Sequence, residues 1–263
     1  CQSVSLDKMG SAAFQNRRAR LKKRLDDMAD GLIGLAAMRA IQKAPLALAP
    51  PELYDGFCAR FPYVETDDQL GAIQDVLLDL QKGCPMDRLV CGDVGFGKTE
   101  VALRAAFAVA SSGFQVAVVA PTTLLCRQHV QTFRKRFLDF GLKVGHLSRL
   151  AGAKESQDTK DGLQDGSVSI VVGTHALLSK NITFNKLGLV IVDEEQHFGV
   201  KQKERLKDLG HESHLLTLTA TPIPRTLQMA LAGVRDLSLI ATPPVDRLAV
   251  HTFVLPYDPI VIQ

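Results

Sequence analysis

A glycine-rich segment occupies residues 92–99 and reads Gly92-Asp93-Val94-Gly95-Phe96-Gly97-Lys98-Thr99, matching the pattern G-x-x-x-x-G-K-T. The apolar run at 88–91 precedes it and predicts a buried strand, whereas residues 101–110 predict a helix. Strand, glycine loop and helix in this order are the context in which the pattern binds phosphate groups. The sequence therefore predicts an α/β fold arranged around a phosphate-binding loop.

The residue types of this loop fit the chemistry of a nucleoside triphosphate. Glycines let backbone N–H groups close around phosphate oxygens, and the N-terminus of the following helix adds a partial positive charge. We expect Lys98 to reach the β- and γ-phosphates and the hydroxyl of Thr99 to ligate Mg²⁺. The alternative is a glycine-rich turn that binds nothing, which the Lys-Thr pair disfavours.

Strands and helices alternate along the chain beyond the loop. Apolar runs predict seven strands, at 87–91, 115–120, 143–148, 168–173, 187–193, 214–219 and 236–241. Continuous apolar runs are typical of parallel strands that are covered on both faces. Thr66, followed three residues later by Gln69, forms a capping-box pattern and predicts a helix that runs to about residue 82. The predicted fold is a three-layer RecA-like α/β domain with a mostly parallel sheet.

Composition excludes several classes of protein. The chain has 263 residues, of which 46% are hydrophobic, enough for one large globular domain with an appendage. No run approaches the roughly 18 apolar residues of a membrane span, and the first residues lack the apolar segment of a signal peptide, so we expect no membrane partner. The five cysteines show no C-x-x-C spacing, which favours a reduced, cytoplasmic protein.

Positive charge is concentrated at the N-terminal end. Residues 1–50 contain nine Lys or Arg and four Asp, although the net charge of the whole chain is only +3. Residues 5–43 predict one long helix with a narrow apolar stripe. Its basic half is either a lever or DNA-tracking element, or a solvated face of a helix that packs across the domain.

We therefore expect three parts. Residues 1–50 form a basic linker or relay-type helix, residues 51–258 form the α/β domain, and residues 259–263 begin a connection to a further lobe. The last part is inferred because the sequence stops inside a predicted strand, as a piece of a longer protein would.

Three carboxylates follow the apolar run at 189–192. A strand beside the phosphate loop would deliver Asp193 to Mg²⁺ and Glu194 to the attacking water. Together with Lys98, these two are the predicted catalytic residues. By the strand period Glu195 points to the opposite side and is expected to have a supporting or surface role. The alternative is an ordinary acidic turn after a core strand.

A second hydroxyl-bearing segment, Thr219-Ala220-Thr221, follows the apolar run at 215–218. Hydroxyls at a strand end beside a triphosphate can hydrogen-bond the carboxylates and respond to the γ-phosphate. Threonines at strand ends also occur simply because they favour extended backbone. The order of the three motifs along the chain supports the coupling role for Thr219 and Thr221.

These motifs together resemble the first motor domain of superfamily 2 helicases and translocases. The residue sequences of the motifs are most similar to those of the bacterial transcription-repair coupling factors, and the RecG-type helicases share the general pattern. The motifs are at residues 92–100, 120–125, 192–200 and 219–226. Phe96 in the loop and the upstream Phe61-Pro62-Tyr63 favour the coupling factors. The resemblance covers roughly residues 5–258.

The resemblance implies ATP with Mg²⁺ at the loop and contacts to the nucleotide from Phe61 and Gln69. Gln69 corresponds to a glutamine that reads the adenine edge, and its side-chain amide can both donate and accept. The alternative for Gln69 is the capping role described above.

The resemblance also implies contacts to the backbone of double-stranded DNA, without reading of base sequence. Hydroxyls, backbone N–H groups and an arginine at strand ends suit phosphate contacts. Taken singly, each segment would be an ordinary loop. The residues are Thr122, Thr123, Ser148, Arg149, Gly173, Thr174 and His175.

One residue departs from the superfamily pattern. Gln196 stands where many superfamily 2 motors have His, and its side chain can still hydrogen-bond a phosphate or a partner motif when ATP hydrolysis is coupled to movement.

Further partners are implied by the resemblance alone. A second RecA-like lobe in cis would supply an arginine finger, so the present chain is expected to bind ATP and hydrolyse it poorly. RNA polymerase and nucleotide-excision-repair proteins would bind other domains of the full-length protein.

Overall fold

The computed structural model describes Ala19 and residues 41–179, 181–209, 213–220 and 235–244. Most of the predicted helix at 5–43, Thr221 and residues 245–263 lie outside the described residues. The helices are α1 Pro51–Cys58, α2 Asp67–Leu80, α3 Lys98–Ser111, α4 Thr123–Phe137, α5 Ala153–Asp165 and α6 Val200–Leu209. Short 3₁₀ turns occupy Leu138–Phe140, His175–Leu178 and Glu195–His197.

The strands form one seven-stranded sheet in the order β3-β4-β2-β5-β6-β1-β7, and every neighbouring pair is parallel. Their bounds are β1 Asp87–Gly92, β2 Gln115–Val119, β3 Val144–Leu147, β4 Ile170–Gly173, β5 Leu187–Asp193, β6 His214–Thr219 and β7 Asp236–Ile240. Each predicted strand is present within two residues of its predicted bounds. The predicted RecA-like α/β class is confirmed, and the sheet is fully parallel among the described strands rather than mostly so.

Helices cover both faces of the sheet, and this explains the continuous apolar runs. In β2, Val116 and Val118 belong to one hydrophobic cluster, whereas Ala117 and Val119 belong to the other. Successive side chains of a strand point to opposite faces, so a strand that is covered on both sides needs an apolar residue at every position. The result is the predicted three-layer arrangement.

Helix α1 was not predicted from the sequence. It anchors the domain through Phe57, whose ring is fully buried and stacks on Phe107 of α3 with ring centroids 4.3 Å apart. Residues 43–50 before it form no helix or strand and pack on the domain. Ala47 is buried and donates its N–H to the carbonyl of Leu80 at 3.1 Å. No described helix is long and apolar enough to span a membrane.

The parallel sheet brings all the carboxyl ends of its strands to one edge. Because of the strand order, this edge divides into two parts. We call the ends of β5, β6 and β1 the P-loop half, and the ends of β3, β4 and β2 the outer half. Ligands of open α/β sheets bind outside the carboxyl ends of the strands.

Candidate functional site

The phosphate-binding loop connects β1 directly to α3, which begins at Lys98 and not at Val101 as predicted. Gly95 and Gly97 both have a φ of +83°, a conformation that other residues rarely adopt. A Cβ at Gly97 would overlap the side-chain nitrogen of Gln69, so a larger residue there would displace Gln69 and would also be strained by the positive φ. The loop therefore has the left-handed turns and the helix N-terminus that the sequence pattern requires.

Lys98 folds over its own loop. Its Nζ donates to the carbonyl oxygens of Gly92 at 2.6 Å and of Asp93 at 3.0 Å. Burial lowers the pKa of the Lys98 ammonium, and the nearby carboxylates of Glu194 and Asp193 oppose that shift. The structure thus brings the three predicted catalytic residues to the P-loop half.

Glu194 lies just beyond β5 in a left-handed conformation, with a φ of +52°, the one positive value among the described non-glycine residues. Its N–H donates to the carbonyl of Leu218 in the neighbouring β6 at 2.9 Å. A non-glycine residue in this region costs free energy and persists when its surroundings hold it there. The bend aims the Glu194 carboxylate at the end of β6.

A hydrogen-bond network holds that carboxylate. Thr219 Oγ1 donates to it at 3.4 Å, the N–H of Ala220 at 3.3 Å, and the side-chain amide of Gln196 also donates to it. Thr219 Oγ1 is in addition 3.1 Å from the Gln196 side-chain oxygen. The predicted coupling residues Gln196 and Thr219 therefore meet at Glu194. Thr221 lies outside the described residues.

Glu195 points away from this network. Its carboxylate accepts a hydrogen bond from Arg235 at 2.9 Å, and Lys203 lies 3.7 Å from it. The Arg235 guanidinium also lies 2.7 Å from Asp87 at the start of β1. Glu195 is thus part of an ion-pair cluster with Arg235 and Lys203 and does not join the network at Glu194, in agreement with its predicted supporting role, although β5 ends before it at Asp193.

A cavity of about 660 Å³ opens beside the loop. Gln69 and Phe61 line it together with Gly97 and Thr99. The side chain of Gln69 completes the capping box, accepting from the N–H of Thr66 at 3.0 Å, and its amide nitrogen donates to the carbonyl of Phe96 at 2.9 Å. Its capping role is therefore present, and its role in reading adenine stays a prediction.

A buried ionic cluster supports the Phe61 side of the cavity, and sequence reasoning missed it. Glu100 accepts from Arg104 at 3.0 Å and from Arg136 of α4 at 2.9 Å. Both guanidinium groups lie over the Phe61 ring, 5.8 and 5.7 Å from its centroid. Burial raises the pKa of Glu100, against the opposing effect of the two arginines. Only the spacing of Glu100 and Arg104, four apart on a helix, could have indicated part of it.

Sequence reasoning also missed the partner of Asp193. The Nε2 atom of His129, in α4, lies 2.7 Å from Oδ2 of Asp193, and both side chains are largely buried. Nothing in the local sequence around His129 indicates a partner 64 positions away.

The predicted DNA-contacting residues come together at the outer half. Thr122 and Thr123 follow β2, Ser148 and Arg149 follow β3, and Gly173, Thr174 and His175 end β4 or follow it. Thr122 caps α4 by accepting from the N–H of Leu125 at 3.2 Å, and Ser148 Oγ lies 2.7 Å from His146 Nε2. Thr174 is buried, whereas Arg149 and His175 are exposed.

The P-loop half fits a triphosphate with Mg²⁺. The Thr99 hydroxyl and the Asp193 carboxylate are oxygen ligands of the kind that Mg²⁺ prefers, and it commonly takes one or two such groups and phosphate oxygens. A Cβ at Gly95 would meet no atom within 4 Å, so the loop is open there. Among the described residues no cluster of three or more His, Cys, Asp or Glu could hold a metal.

Comparison with known proteins agrees with this arrangement. The family model of the DEAD/DEAH box helicases matches residues 66–230, which span the phosphate loop, the acidic segment and the hydroxyl-bearing segment. The chain belongs to the DEAD/DEAH box helicase family. Membership of this helicase family implies ATP binding.

The predicted similarity to the coupling factors is confirmed. The chain is 53% identical over 265 residues to the transcription-repair-coupling factor of Rickettsia conorii, covering 99% of this chain and 24% of that protein. It is 47% identical to that of Escherichia coli, covering 100% of this chain and 23% of that protein. The chain thus spans about a quarter of the length of these relatives.

Solved helicase structures have the same fold. A structure of RecG bound to a three-way DNA junction superposes with a TM-score of 0.70 at 28% identity, over 94% of this chain and 37% of that one. A hypothetical ATP-dependent RNA helicase from Sulfolobus tokodaii, at 20% identity, superposes with a TM-score of 0.55 over 73% of this chain and 57% of that one.

Proposed function

We propose that the chain is the first, ATP-binding lobe of a double-stranded DNA translocase, in a transcription-repair coupling factor that displaces stalled RNA polymerase. The observation that carries the proposal is the convergence of Lys98, Asp193 and Glu194 beside one loop, in a chain about half identical to coupling factors along its whole length.

ATP binds through the loop in this proposal. The backbone N–H groups of residues 92–97 surround the phosphates, and Lys98 exchanges its two loop carbonyls for phosphate oxygens. Thr99 and Asp193 hold Mg²⁺, which offsets the negative charge of the phosphates. Phe61 and Gln69 flank the base in the adjoining cavity.

Glu194 orients the attacking water and accepts its proton. Its bonds to Thr219, Ala220 and Gln196 fix the carboxylate and connect it to the end of β6. Thr221, two residues after Thr219 in the sequence, is assigned to the same coupling role. Gln196, Thr219 and Thr221 therefore transmit the state of the γ-phosphate.

DNA lies along the outer half. Its phosphates contact the hydroxyls and N–H groups of Thr122, Thr123, Ser148 and Thr174, the backbone at Gly173, and the side chains of Arg149 and His175. Such contacts carry no base information, which suits a motor that must move along any sequence. The similarity to RecG, whose structure was solved with a three-way DNA junction, supports DNA binding by this chain.

A second RecA-like lobe, supplied in cis, forms the other wall of the ATP cleft. An arginine finger from it is worth ~10³–10⁵ in rate. RNA polymerase and nucleotide-excision-repair proteins bind other domains of the full-length cytoplasmic protein. The basic segment at 1–50 links those domains to the motor.

The test is ATP-dependent displacement of a triplex-forming strand from duplex DNA by the full-length protein. Displacement with wild type and its loss in Glu194→Gln would support the proposal. Lack of displacement by wild type, despite ATP hydrolysis, would contradict it.

A RecG-like branched-DNA helicase is the second candidate, favoured by the TM-score of 0.70. Removal of a stalled RNA polymerase from DNA separates the two. Fork regression without polymerase removal would favour the RecG-like function.

The chain by itself is a third case, a nucleotide- and DNA-binding module with little catalysis. We expect residues 1–263 alone to show little ATPase activity and little stimulation by duplex DNA, because the proposed ATP cleft needs an arginine finger from a second lobe. Strong stimulation would contradict the shared-cleft proposal.

A further inference from the structure

Within the described residues, one side chain holds the Asp193 carboxylate by a hydrogen bond. His129 Nε2 lies 2.7 Å from Oδ2, and no other hydrogen bond to this carboxylate is formed within the described part of the chain. Glu194, by contrast, has three partners. Because an ionised carboxylate only accepts, the His129 ring N–H is the donor. This bond engages Oδ2, whereas Oδ1 of Asp193 has no hydrogen bond to another described residue.

The geometry around His129 fixes its ring. The residue is 9% exposed, and its ring stands edge-on to Phe133, one turn further along α4, with centroids 6.4 Å apart. Phe133 in turn stacks on Phe137. These aromatic contacts restrict the rotation of the imidazole, so the donor stays directed at Asp193.

The N-terminus of helix α4 lies in the outer half of the sheet edge. The helix begins at Thr123 with Thr122 as its cap, and both lie in the outer half. His129 follows six residues later, about 9 Å along the helix axis. Cys126, Val130 and Phe133 bury one face of α4 in the hydrophobic core. A displacement of the Thr122 end would therefore be carried to Asp193 by a packed helix.

We propose that His129 is a positioning residue that holds Asp193 for the Mg²⁺ of the bound nucleotide and that, through α4, links the outer half to the P-loop half. The proposal rests on the proposed function for the identity of the two sites. Hydrogen-bond partners that orient metal ligands typically change metal affinity by 10–100-fold when they are removed.

The test uses the full-length protein and three variants. His129→Ala removes the donor, and His129→Gln keeps an N–H near the position of Nε2. Gln128→Ala is the matched control, because Gln128 is the exposed neighbour on the same helix. The primary readout is the affinity for a fluorescent ATP analogue across a Mg²⁺ titration and in EDTA, which does not depend on turnover.

We expect His129→Ala to raise the Mg²⁺ concentration needed for half-maximal tight binding by about tenfold, with unchanged affinity in EDTA. His129→Gln should recover most of this loss, and Gln128→Ala should match wild type. The stimulation of ATPase by duplex DNA should fall in His129→Ala and recover in His129→Gln. An unchanged Mg²⁺ titration in His129→Ala, or an equal loss of affinity in EDTA, would overturn the proposal.

The role of His129 can be decided even if the proposed translocase function is wrong. If wild type binds the analogue with Mg²⁺ but does not displace a triplex-forming strand, the translocase proposal fails and the Mg²⁺ comparison still decides the role of His129. If only the DNA stimulation stays unchanged in His129→Ala, the link through α4 is overturned.

Discussion

The two halves of the sheet edge differ in how their polar groups are held. In the P-loop half, Lys98, Asp193 and Glu194 all have hydrogen-bond partners within the domain. In the outer half, Thr122 and Ser148 have such partners and Thr174 is buried, whereas the side chains of Arg149 and His175 are exposed and form no hydrogen bond with another described residue. Under the proposed function this difference is expected, because chemistry on a phosphate needs groups fixed in advance, whereas sequence-independent DNA contacts need groups that can reach the backbone.

The largest expected effect is that of Lys98→Ala on the P-loop half. Losing the ammonium should weaken ATP affinity by about 100-fold or more, since hydrogen bonds to charged groups contribute about 1.5–3 kcal/mol each. Equilibrium binding of a fluorescent ATP analogue measures it. Lys154→Ala, at an exposed position of α5, is the control. Normal affinity for the ATP analogue in Lys98→Ala would contradict the proposal that the P-loop half binds ATP.

Glu194→Gln should act on turnover and spare binding. In the full-length protein we expect a loss in kcat of ~10²–10⁴, the usual contribution of a general base, with nearly unchanged ATP affinity. Glu195→Gln is the matched control, because its carboxylate faces Arg235 and not the network at Thr219. Steady-state ATPase measurements check both. Equal losses in the two variants would show that Glu194 is not the base.

Arg149→Ala should affect the outer half alone. We expect several-fold weaker binding to duplex DNA and a slope of log affinity against log salt that is smaller by about one, because one phosphate contact is lost. Fluorescence anisotropy at several salt concentrations measures both. Lys186→Ala, exposed just before β5 at the opposite edge, should change neither. Altered ATP affinity in Arg149→Ala would mean that the halves are not separable.

The smallest expected effect concerns the capping box of α2. Thr66→Ala removes the side-chain oxygen that accepts from the Gln69 N–H at 3.3 Å, and we expect a cost of about 1 kcal/mol. Amide hydrogen exchange in the first turn of α2 should become about fivefold faster, whereas Thr66→Ser should resemble wild type. A large loss of ATP affinity in Thr66→Ala would instead indicate that the cap positions Gln69 for the nucleotide.

Much of the fold could be predicted because its signals are local. A strand covered on both faces must be apolar throughout, and the runs around Val116 and Val190 therefore marked their strands. Helix α1 escaped prediction because its buried anchor is the single residue Phe57, and one aromatic ring gives no periodic pattern. The site motifs could be predicted for the same local reason as the strands, since loop, acidic and hydroxyl segments are each contiguous.

The sequence by itself determined the α/β class, the seven strands and the chemistry of the phosphate loop, because spacing and residue type act within a few positions. Only the tertiary structure decided which side chains meet. The strand order sets β6 between β5 and β1, which lets Thr219 reach Glu194 across 25 positions. The packing of α4 brings His129 to Asp193 across 64 positions. Such contacts depend on strand order and helix packing, which no local pattern records.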